Sequence, residues 1–409
     1  MPRLHAGGWQ ASSAPSAGSR ATRHCTEACG GAPRARTRQG KARGPIRDII
    51  DEPPRGSIGD LRPFQHSGLE RLRLYIRGEF PGPPISRLLG LKPTEAGLGK
   101  ATFTLPVTRW LEEGFGLYWG GVYALLADAP LALAIWTTLP PGKTVTTSEL
   151  SLSFVRPMSR KTTNIVGRAE TVHAGKQVGL SMIQITDQEG RMLAFGSTRC
   201  LIADVPIDLG KTYPAPDLGP SDPPDPYLLP APEDGYFNLD EVMNGVPIEL
   251  QRQTVTGEKV FPIWRLTGYR PTEVQDGLVR ARLPTSAWFS GGGASLYGGL
   301  LAWAADFTMG ASVYSTLGAG DVFATLDMHI RFTRPALVNS GDLTLTATVR
   351  HRGRLLRVAS CDIDNAEGKR VAMATASALV VEDGVRKLRK GMLPDEILAS
   401  GEEGEDRSH

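Results

Sequence analysis

A repeat with a fixed offset of 178 residues constrains this 409-residue chain more than any other feature. The register holds over a long stretch without a gap. A unit of about 120 residues that occurs twice is too long for a solenoid repeat and has the size of a domain. The sequence therefore predicts two copies of one domain that pack against each other. The repeated pairs are Pro84 and Pro262, Ile85 and Ile263, Arg87 and Arg265, Gly90 and Gly268, Gly120 and Gly298, Gly121 and Gly299, Asp128 and Asp306, Thr147 and Thr325, Arg156 and Arg334, Pro157 and Pro335, His173 and His351, and Gly190 and Gly368.

Composition and charge argue against two classes of partner. Hydrophobic residues make up 41% of the chain and charged residues 22%, as in ordinary globular proteins. The first 60 residues hold ten Lys or Arg against five Asp or Glu, which leaves 36 basic and 38 acidic residues for the rest. This balance argues against a nucleic-acid partner. The most apolar stretch, 125–135, is about half as long as a membrane-spanning helix and contains Asp128, so we predict a buried core helix and no membrane segment.

The distribution of proline, glycine and charge predicts the domain boundaries. The N-terminal region is rich in Gly, Ala, Ser, Pro and Arg and has no hydrophobic period, which predicts disorder. Nine prolines between residues 206 and 232 predict a stiff, extended linker. The predicted segments are a disordered basic tail (1–58), a first domain (80–204), a Pro-rich linker (205–236), a second domain (258–384) and an acidic C-terminal tail (385–409).

Cysteine usage and the N-terminal tail bear on localisation. Cys200 and Cys361 lie in apolar runs at positions that are not equivalent in the two copies, so we expect buried, inert thiols in a reducing compartment. This usage predicts a cytoplasmic protein. The Arg-rich, acid-poor start leaves an organellar transit peptide as the alternative, although no amphipathic apolar stripe accompanies it.

Each copy has the same predicted order of elements. A Gly-Gly pair precedes an apolar segment of helical length, 122–135 in the first copy and 300–314 in the second. Residues 325–332 then alternate between apolar and polar, as in a half-buried antiparallel strand. Two more strands per copy follow, with glycine-containing turns between them. One buried helix wrapped by a meander of strands predicts an α+β fold.

Residues present in both copies carry chemistry suited to acyl transfer. A helix that begins at Gly121 or Gly299 presents unpaired amides at the positive end of its dipole, and such amides stabilise an oxyanion. Asp128 and Asp306 interrupt apolar helices, where burial raises the pKa of a carboxyl toward the range of a general base. A threonine at the start of the next strand is a candidate to hold a water molecule. The candidate catalytic residues are Asp306, Asp128, Thr325, Thr147, Gly121 and Gly299.

These residues carry a resemblance to a known family. Gly-Gly, an Asp on the following helix and a strand that ends in Phe-x-Arg-Pro resemble the hotdog fold, specifically the acyl-CoA thioesterases of the phenylacetate-pathway type. The second copy, with Ala-Ala-Asp-Phe at 304–307 and Ala-Thr-Leu-Asp at 324–327, is similar to the carboxy-terminal half of the type-II acyl-CoA thioesterases. The resemblance covers about 80–203 and 258–382. It implies a tandem, or double, hotdog in which two long central helices are wrapped by one continuous antiparallel sheet.

The resemblance also implies how the two copies share their sites. Each site would lie between the domains and pair Gly121 with Asp306 and Gly299 with Asp128. The implied activity is hydrolysis of an acyl-CoA thioester, with Asp as general base or nucleophile and a helix N-terminal Gly amide as oxyanion donor. We expect no metal and no redox cofactor. Coenzyme A is part of the substrate and is therefore not a cofactor. Further homo-oligomerisation of the pseudo-dimeric chain is left open.

Six further residues are candidates to bind the substrate. Glycine at the helix start lets a thioester approach the backbone. The aromatic residues beside it either line an acyl channel or pack in the core. The arginines at the second hairpin either bind the phosphates of coenzyme A or face only solvent. These candidates are Gly120, Gly298, Trp119, Tyr297, Arg352 and Arg354.

Departures from the family pattern keep alternatives open. The phenylacetate type has His before Gly-Gly and Asn six residues earlier, and the type-II enzymes have a Gln on the last strand. The chain has other residues at these positions, so a non-catalytic acyl-CoA-binding or regulatory hotdog protein is the main alternative. A hotdog enoyl-CoA hydratase is less favoured, because its His would stand at Leu133 or Ala311. The departing residues are Trp119, Glu113, Tyr297, Gly291, Thr198 and Ala376.

The second copy is expected to hold the better carboxylate. Pro130 lies two residues after Asp128 and removes one backbone hydrogen bond from the first-copy helix. Thr308 stands at the equivalent position in the second copy. We therefore predict that Asp306 contributes more to activity than Asp128.

Overall fold

The computed structural model describes residues 48–114, 116–221 and 223–390. These residues belong to one compact unit. The predicted disorder of residues 1–47 and the fraying of 391–409 lie outside the described residues. None of the helices in the described ranges has the length and apolar character needed to cross a membrane.

Twelve strands and eight α-helices make up the described part of the chain. The helices are α1 (Gly68–Ile76), α2 (Pro84–Leu89), α3 (Gly121–Trp136), α4 (Leu239–Asn244), α5 (Pro247–Val255), α6 (Pro262–Thr267), α7 (Gly298–Tyr314) and α8 (Gly384–Arg389). The strands are β1 (Lys92–Gly97), β2 (Lys100–Pro106), β3 (Lys143–Phe154), β4 (Asn164–Ala174), β5 (Val178–Asp187), β6 (Met192–Asp204), β7 (Arg270–Gln275), β8 (Leu278–Leu283), β9 (Val322–Phe332), β10 (Leu343–Arg352), β11 (Leu356–Asp364) and β12 (Arg370–Val381).

All twelve strands form one antiparallel sheet in the order β1-β2-β4-β5-β6-β3-β9-β12-β11-β10-β8-β7. The first six strands come from the first copy and the last six from the second. The copies join at β3 and β9, where residues 149–153 pair with 327–331. The sheet is therefore continuous across the repeat, and the double hotdog implied by the resemblance is the observed fold.

The two long helices α3 and α7 form the centre of the molecule and pack against each other. Both are apolar around their whole circumference, which is typical of helices that are buried on all sides. α3 contains the predicted internal proline, Pro130. The repeated glycines after α2 and α6 also have a structural reason. Gly90 and Gly268 end these helices with φ of 78° and 68°, a conformation that glycine adopts without strain.

The N-terminal boundary predicted at residue 58 is wrong, because residues 48–58 are part of the packed structure. Ile49 is buried, and the Trp288 indole donates a hydrogen bond to the Glu52 carbonyl at 2.9 Å. Asp48 forms ion pairs with Arg265 and Arg270. Residues 48–58 show no hydrophobic period in the sequence, because isolated residues rather than a regular face of a helix or strand make their contacts.

The other predicted boundaries also differ from the packed structure. Residues 384–389 form α8 rather than an acidic tail, and Val385 on this helix is fully buried. The described part of the Pro-rich linker has little regular secondary structure apart from a short helical turn at Pro226–Leu228, and it contacts the packed domains. Trp110 donates a hydrogen bond from its indole to the Leu229 carbonyl at 2.8 Å, and Pro226 is buried. The predicted domain starts at 80 and 258 leave out α1 and α5, which pack against the core.

Candidate active site

The N-terminus of α3 lies against the middle of α7. The Gly121 amide donates a hydrogen bond to Asp306 Oδ2 at 2.7 Å. The N-cap residue of α3 is Gly120, which has no side chain to cap the helix. Because the first amides of a helix have no partner within the helix, the carboxylate of the other repeat satisfies one of them at the positive end of the dipole.

A related contact links the second helix to the first. The Gly299 amide donates to Asp128 Oδ2 at 3.0 Å, and the Thr147 hydroxyl donates to Asp128 Oδ1 at 2.7 Å. Each carboxylate therefore meets a glycine amide of the other repeat. This is the crossed pairing that the resemblance implied, and any chemical role for these residues remains a prediction.

The glycine pairs are required because the two helices approach closely. A Cβ atom added to Gly121 would lie 3.1 Å from the Cα atom of Trp303, and one added to Gly299 would lie 2.4 Å from the Ala124 carbonyl oxygen. The space is occupied by backbone, which cannot move aside easily. Glycine is the residue that permits this approach.

Asp306 keeps one carboxylate oxygen open. Its Oδ1 atom is buried and has no hydrogen bond of normal geometry to any residue that the structure describes, although the Thr325 hydroxyl lies close enough to lower the pKa of this carboxyl. Burial raises the pKa of Asp306 to about 7, while the Gly121 amide and the nearby Thr325 hydroxyl oppose this rise. A carboxyl with a pKa near neutral and a free oxygen suits a general base.

Asp128 is in a more satisfied environment. Burial also raises its pKa, and the Thr147 hydroxyl together with the Gly299 and Gly298 amides opposes the rise. Both carboxylate oxygens already accept hydrogen bonds. The two carboxylates therefore stand at equivalent positions in the repeat but differ in how many further hydrogen bonds they can accept.

A chamber of about 430 Å³ adjoins the Asp306 site, and its lining includes Gly120 and Thr325. Its walls are mainly apolar and include several aromatic side chains. Trp119 stacks on Phe307 with ring centroids 4.7 Å apart, and Phe323 meets Trp119 edge-on at 5.2 Å. The volume falls within the range of small-molecule sites, roughly 300–1,000 Å³. The chamber offers an apolar group a binding place beside Gly120, Phe307 and Thr325, which neighbour the Gly121–Asp306 contact, although Asp306 itself does not line it.

The chamber reaches the junction between the repeats. The β3–β9 ladder covers residues 149–153 of β3, and the next residues, Phe154 and Val155, line the chamber. Residues 322–326 of β9 line it from the other side. Both repeats therefore line the chamber at the end of the β3–β9 ladder.

Comparison with known proteins adds a second line of evidence. The model of the thioesterase superfamily matches residues 115–194 and 293–372. A proofreading thioesterase EntH of Cronobacter turicensis is 32% identical over 103 residues, which are 25% of this chain and 74% of that protein. The chain belongs to the thioesterase superfamily. It is a thioester hydrolase that contains the superfamily domain twice.

Two other proteins are also similar to this thioesterase. The first matches a segment of about the length of one domain, and the second matches most of the chain at lower identity. A 1,4-dihydroxy-2-naphthoyl-CoA hydrolase of Listeria monocytogenes is 27% identical over 119 residues, which are 29% of this chain and 94% of that protein. The crystal structure of an acyl-CoA thioesterase II TesB2 from Mycobacterium marinum is 14% identical, with a TM-score of 0.43, and the match covers 72% of this chain and 97% of that chain.

In this thioesterase, the space equivalent to the chamber in the first repeat holds larger side chains. Trp136 takes the position of Tyr314, and the Arg71 guanidinium lies 3.8 Å from the centroid of its ring. Leu133 takes the position of Ala311, which lines the chamber. The two repeats therefore differ in the size of the side chains at positions equivalent to the chamber lining.

Tyr297 has a structural place instead of the predicted place in an acyl channel. Its hydroxyl accepts a hydrogen bond from the Ala129 amide and donates one to the Leu125 carbonyl, both at 3.0 Å. In a regular helix the Ala129 amide would bond directly to the Leu125 carbonyl. The Tyr297 hydroxyl lies between these two groups, next to Pro130. Gly298 also serves packing, since an added Cβ atom would lie 2.9 Å from Asp128 Oδ2.

The two candidate arginines lie away from the chamber. Arg352 pairs with Asp276 at 2.8 Å at the β7–β8 turn, and Arg354 lies 4.0 Å from Glu382. Neither lines the chamber. Both side chains are solvent-exposed, so a role at coenzyme A phosphates has no support from their positions.

Sequence reasoning missed two contributors to the site. Glu113 is fully buried and accepts a hydrogen bond from the Trp303 indole at 2.8 Å. α5 lies outside the predicted domains, yet Gln251 and Thr254 on this helix line the chamber. The signal for Glu113 was present, because an acidic residue stands where the related enzymes have Asn. No local signal distinguished α5 from a linker helix.

Proposed function

We propose that this protein is an acyl-CoA thioesterase in which Asp306 is the general base. The observation that carries the proposal is the buried Asp306 carboxyl, whose pKa burial raises to about 7 and whose neighbours Phe307 and Thr325 line an apolar chamber. A group with this pKa is half ionised near neutral pH, which is where a general base works best. The similarity to a 1,4-dihydroxy-2-naphthoyl-CoA hydrolase, which is named for an acyl-CoA substrate, supports the proposal.

The reaction proceeds in two steps in this proposal. Asp306 Oδ1 takes a proton from a water molecule while the water oxygen attacks the thioester carbon. The carbonyl double bond opens and its oxygen becomes negatively charged. When the double bond reforms, the carbon–sulfur bond breaks, and the thiolate of coenzyme A takes the proton from Asp306. The products are a carboxylic acid and free coenzyme A, and Asp306 returns to its ionised form.

The start of α3 supplies the oxyanion stabilisation. Without substrate the Gly121 amide bonds to Asp306 Oδ2, so a thioester carbonyl would share or replace this contact. Gly120 lines the chamber and precedes that amide, which brings the carbonyl to the positive end of the helix. One such donor contributes roughly 10²- to 10³-fold to rate. Thr325 lies beside the carboxylate and positions the water.

The acyl group occupies the aromatic chamber. Trp119, Phe307 and Phe323 form an apolar surface next to Thr325, and such a surface stabilises an acyl chain or ring by burying it. Gly120 makes room for the Phe154 ring of the chamber wall, because a Cβ atom there would lie 2.7 Å from that ring. In this proposal the thioester carbon lies between the helix start and the base.

The experiment is an assay of the purified protein against short, long and aromatic acyl-CoAs, with release of coenzyme A detected by a thiol reagent. We expect turnover that persists in the presence of a metal chelator, because the base and donors in the proposal are protein groups. The Asp306→Asn variant should lose this turnover. Tight binding of acyl-CoA without hydrolysis would favour the non-catalytic acyl-CoA-binding alternative, and activity that returns only with added zinc would contradict the mechanism.

A further inference from the structure

Glu113 is a buried carboxyl that the mechanism above does not use. Its side chain has no exposed surface. Oε1 accepts the hydrogen bond from the Trp303 indole at 2.8 Å, while Oε2 makes no hydrogen bond to any residue within the described ranges. A buried carboxyl with one unpaired oxygen is costly to the fold, so its retention needs a reason.

Contacts connect Glu113 to the candidate active site. Trp303 lies on α7 three residues before Asp306, on the same side of the helix. The backbone of Trp303 packs on Gly121, where an added Cβ atom would come within 3.1 Å of its Cα atom. The Gly121 amide in turn donates to Asp306. Contacts therefore run from Glu113 through Trp303 and Gly121 to Asp306.

The surroundings of Glu113 favour its neutral form. Burial and the nearby Asp306 carboxylate raise the pKa of Glu113 well above its usual range, and the Trp303 hydrogen bond opposes the rise only in part. The other titratable group that faces it is the Tyr269 phenol, whose own pKa is raised. Two carboxylates buried so close together do not both ionise at low cost.

This arrangement occurs at one of the two pseudo-equivalent sites. Gly291 stands at the position equivalent to Glu113, and Leu125 at the position equivalent to Trp303. The Asp128 site therefore has neither the second carboxyl nor the indole. The pair marks the same site that has the chamber and the open carboxylate oxygen.

We propose that Glu113 is a positioning residue that acts as a neutral carboxylic acid. It holds the Trp303 indole, and through Trp303 it fixes the Gly121–Asp306 contact without adding a second negative charge beside the base. This inference rests on the proposed function of Asp306. Glutamine has the shape of the neutral acid and can accept the same hydrogen bond, whereas leucine has similar size and cannot.

Kinetics of matched variants test the positioning role. Glu113→Gln should retain kcat within about twofold, whereas Glu113→Leu should lower kcat by about tenfold or more with little change in KM, because small displacements of catalytic groups slow chemistry strongly. If Glu113→Leu does not fold, Trp303→Phe removes the same hydrogen bond from the other partner and should give the same loss. Wild-type kcat in the folded Leu and Phe variants would overturn the inference. So would a loss of about 100-fold in a folded Glu113→Gln variant, since it would mean that Glu113 must ionise.

Infrared difference spectroscopy tests the neutral state without relying on turnover. Near pH 9, about two units above the pKa of Asp306, the wild-type protein minus Glu113→Gln should show the carbonyl band of a protonated carboxylic acid. A carboxylate band in its place would overturn the inference. A wild-type protein that hydrolyses no acyl-CoA but shows the acid band would contradict the proposed function alone, so the two failures are distinguishable.

Discussion

Gly121 and Asp306 lie 185 positions apart in the chain, yet the amide of one donates a 2.7 Å hydrogen bond to the carboxylate of the other. The contact exists because β3 and β9 join the two copies in one sheet and bring α3 and α7 together. The two partners of this contact come from different repeats. The pseudo-symmetric contact from Gly299 to Asp128 is also present, but its carboxylate is fully bonded.

The two carboxylates should contribute unequally to turnover. Asp306→Asn should lower kcat by about 10²- to 10⁴-fold, the usual contribution of a general base. Asp128→Asn, the matched control, should change kcat by less than about threefold, because both of its oxygens are already bonded. Steady-state kinetics and circular dichroism of both variants check this. Equal losses in the two folded variants would contradict the assignment of a single working site.

The rate should depend on pH through Asp306. Because burial raises the pKa of Asp306 to about 7 and a general base must be ionised, kcat/KM should rise with pH and level off above a midpoint near 7. The Asp128→Asn variant should show the same midpoint. A profile that is flat from pH 5 to about pH 8.5, measured with a substrate stable over that range, would exclude Asp306 as the titrating group.

Stability should respond to pH in the direction opposite to that of a salt-bridged Asp. The pKa of Asp306 is higher in the folded protein than the ordinary 3.8, so the folded state binds more protons between about pH 4 and 7 and loses stability as pH rises through this window. Asp306→Asn removes this loss. We expect the variant to gain about 2–3 kcal/mol relative to wild type between pH 5 and pH 8. Urea unfolding of both proteins at pH 5 and pH 8 measures their free energies of unfolding. If the variant and the wild type differ by the same free energy at both pH values, Asp306 does not titrate in this range.

The size of the chamber should decide which acyl groups are accepted. Ala311→Leu introduces the side chain that the first repeat carries at Leu133 and reduces the space beside Phe307. We expect KM for long or aromatic acyl-CoAs to rise at least about fivefold while that for acetyl-CoA changes little. Leu133→Ala in the first repeat is the control and should leave the substrate preference unchanged. An equal effect on all acyl-CoAs would place the acyl group elsewhere.

The packed N-terminal segment should matter to stability. A chain that begins at residue 59 loses the Glu52 carbonyl that accepts from Trp288 and the Asp48 partner of Arg270, so its melting temperature should fall by several degrees relative to a chain that begins at residue 48. Thermal unfolding of the two chains, with the full-length protein alongside, measures this. Identical melting temperatures would show that residues 48–58 add nothing to the fold.

The fold could be predicted from the sequence because its signals are local and occur twice. The Gly-Gly pairs, the apolar helices and the alternating strand at 325–332 each follow from the period of a regular element, and the repeat showed that both copies share them. The turn at Gly190 and its equivalent Gly368 were also predicted, and both glycines have positive φ.

The tertiary structure decided which carboxylate stays open and what surrounds it. The bonding of Asp128, the insertion of Tyr297 into α3 and the burial of Glu113 against Trp303 depend on side chains that are 100 or more residues apart, except the Thr147 contact. The chamber likewise depends on α5 packing over the second repeat. Sequence determined the two copies and their catalytic candidates, because these follow from local periodicity and repetition. Only long-range packing made the two sites unequal, because it sets burial, free volume and hydrogen-bond partners.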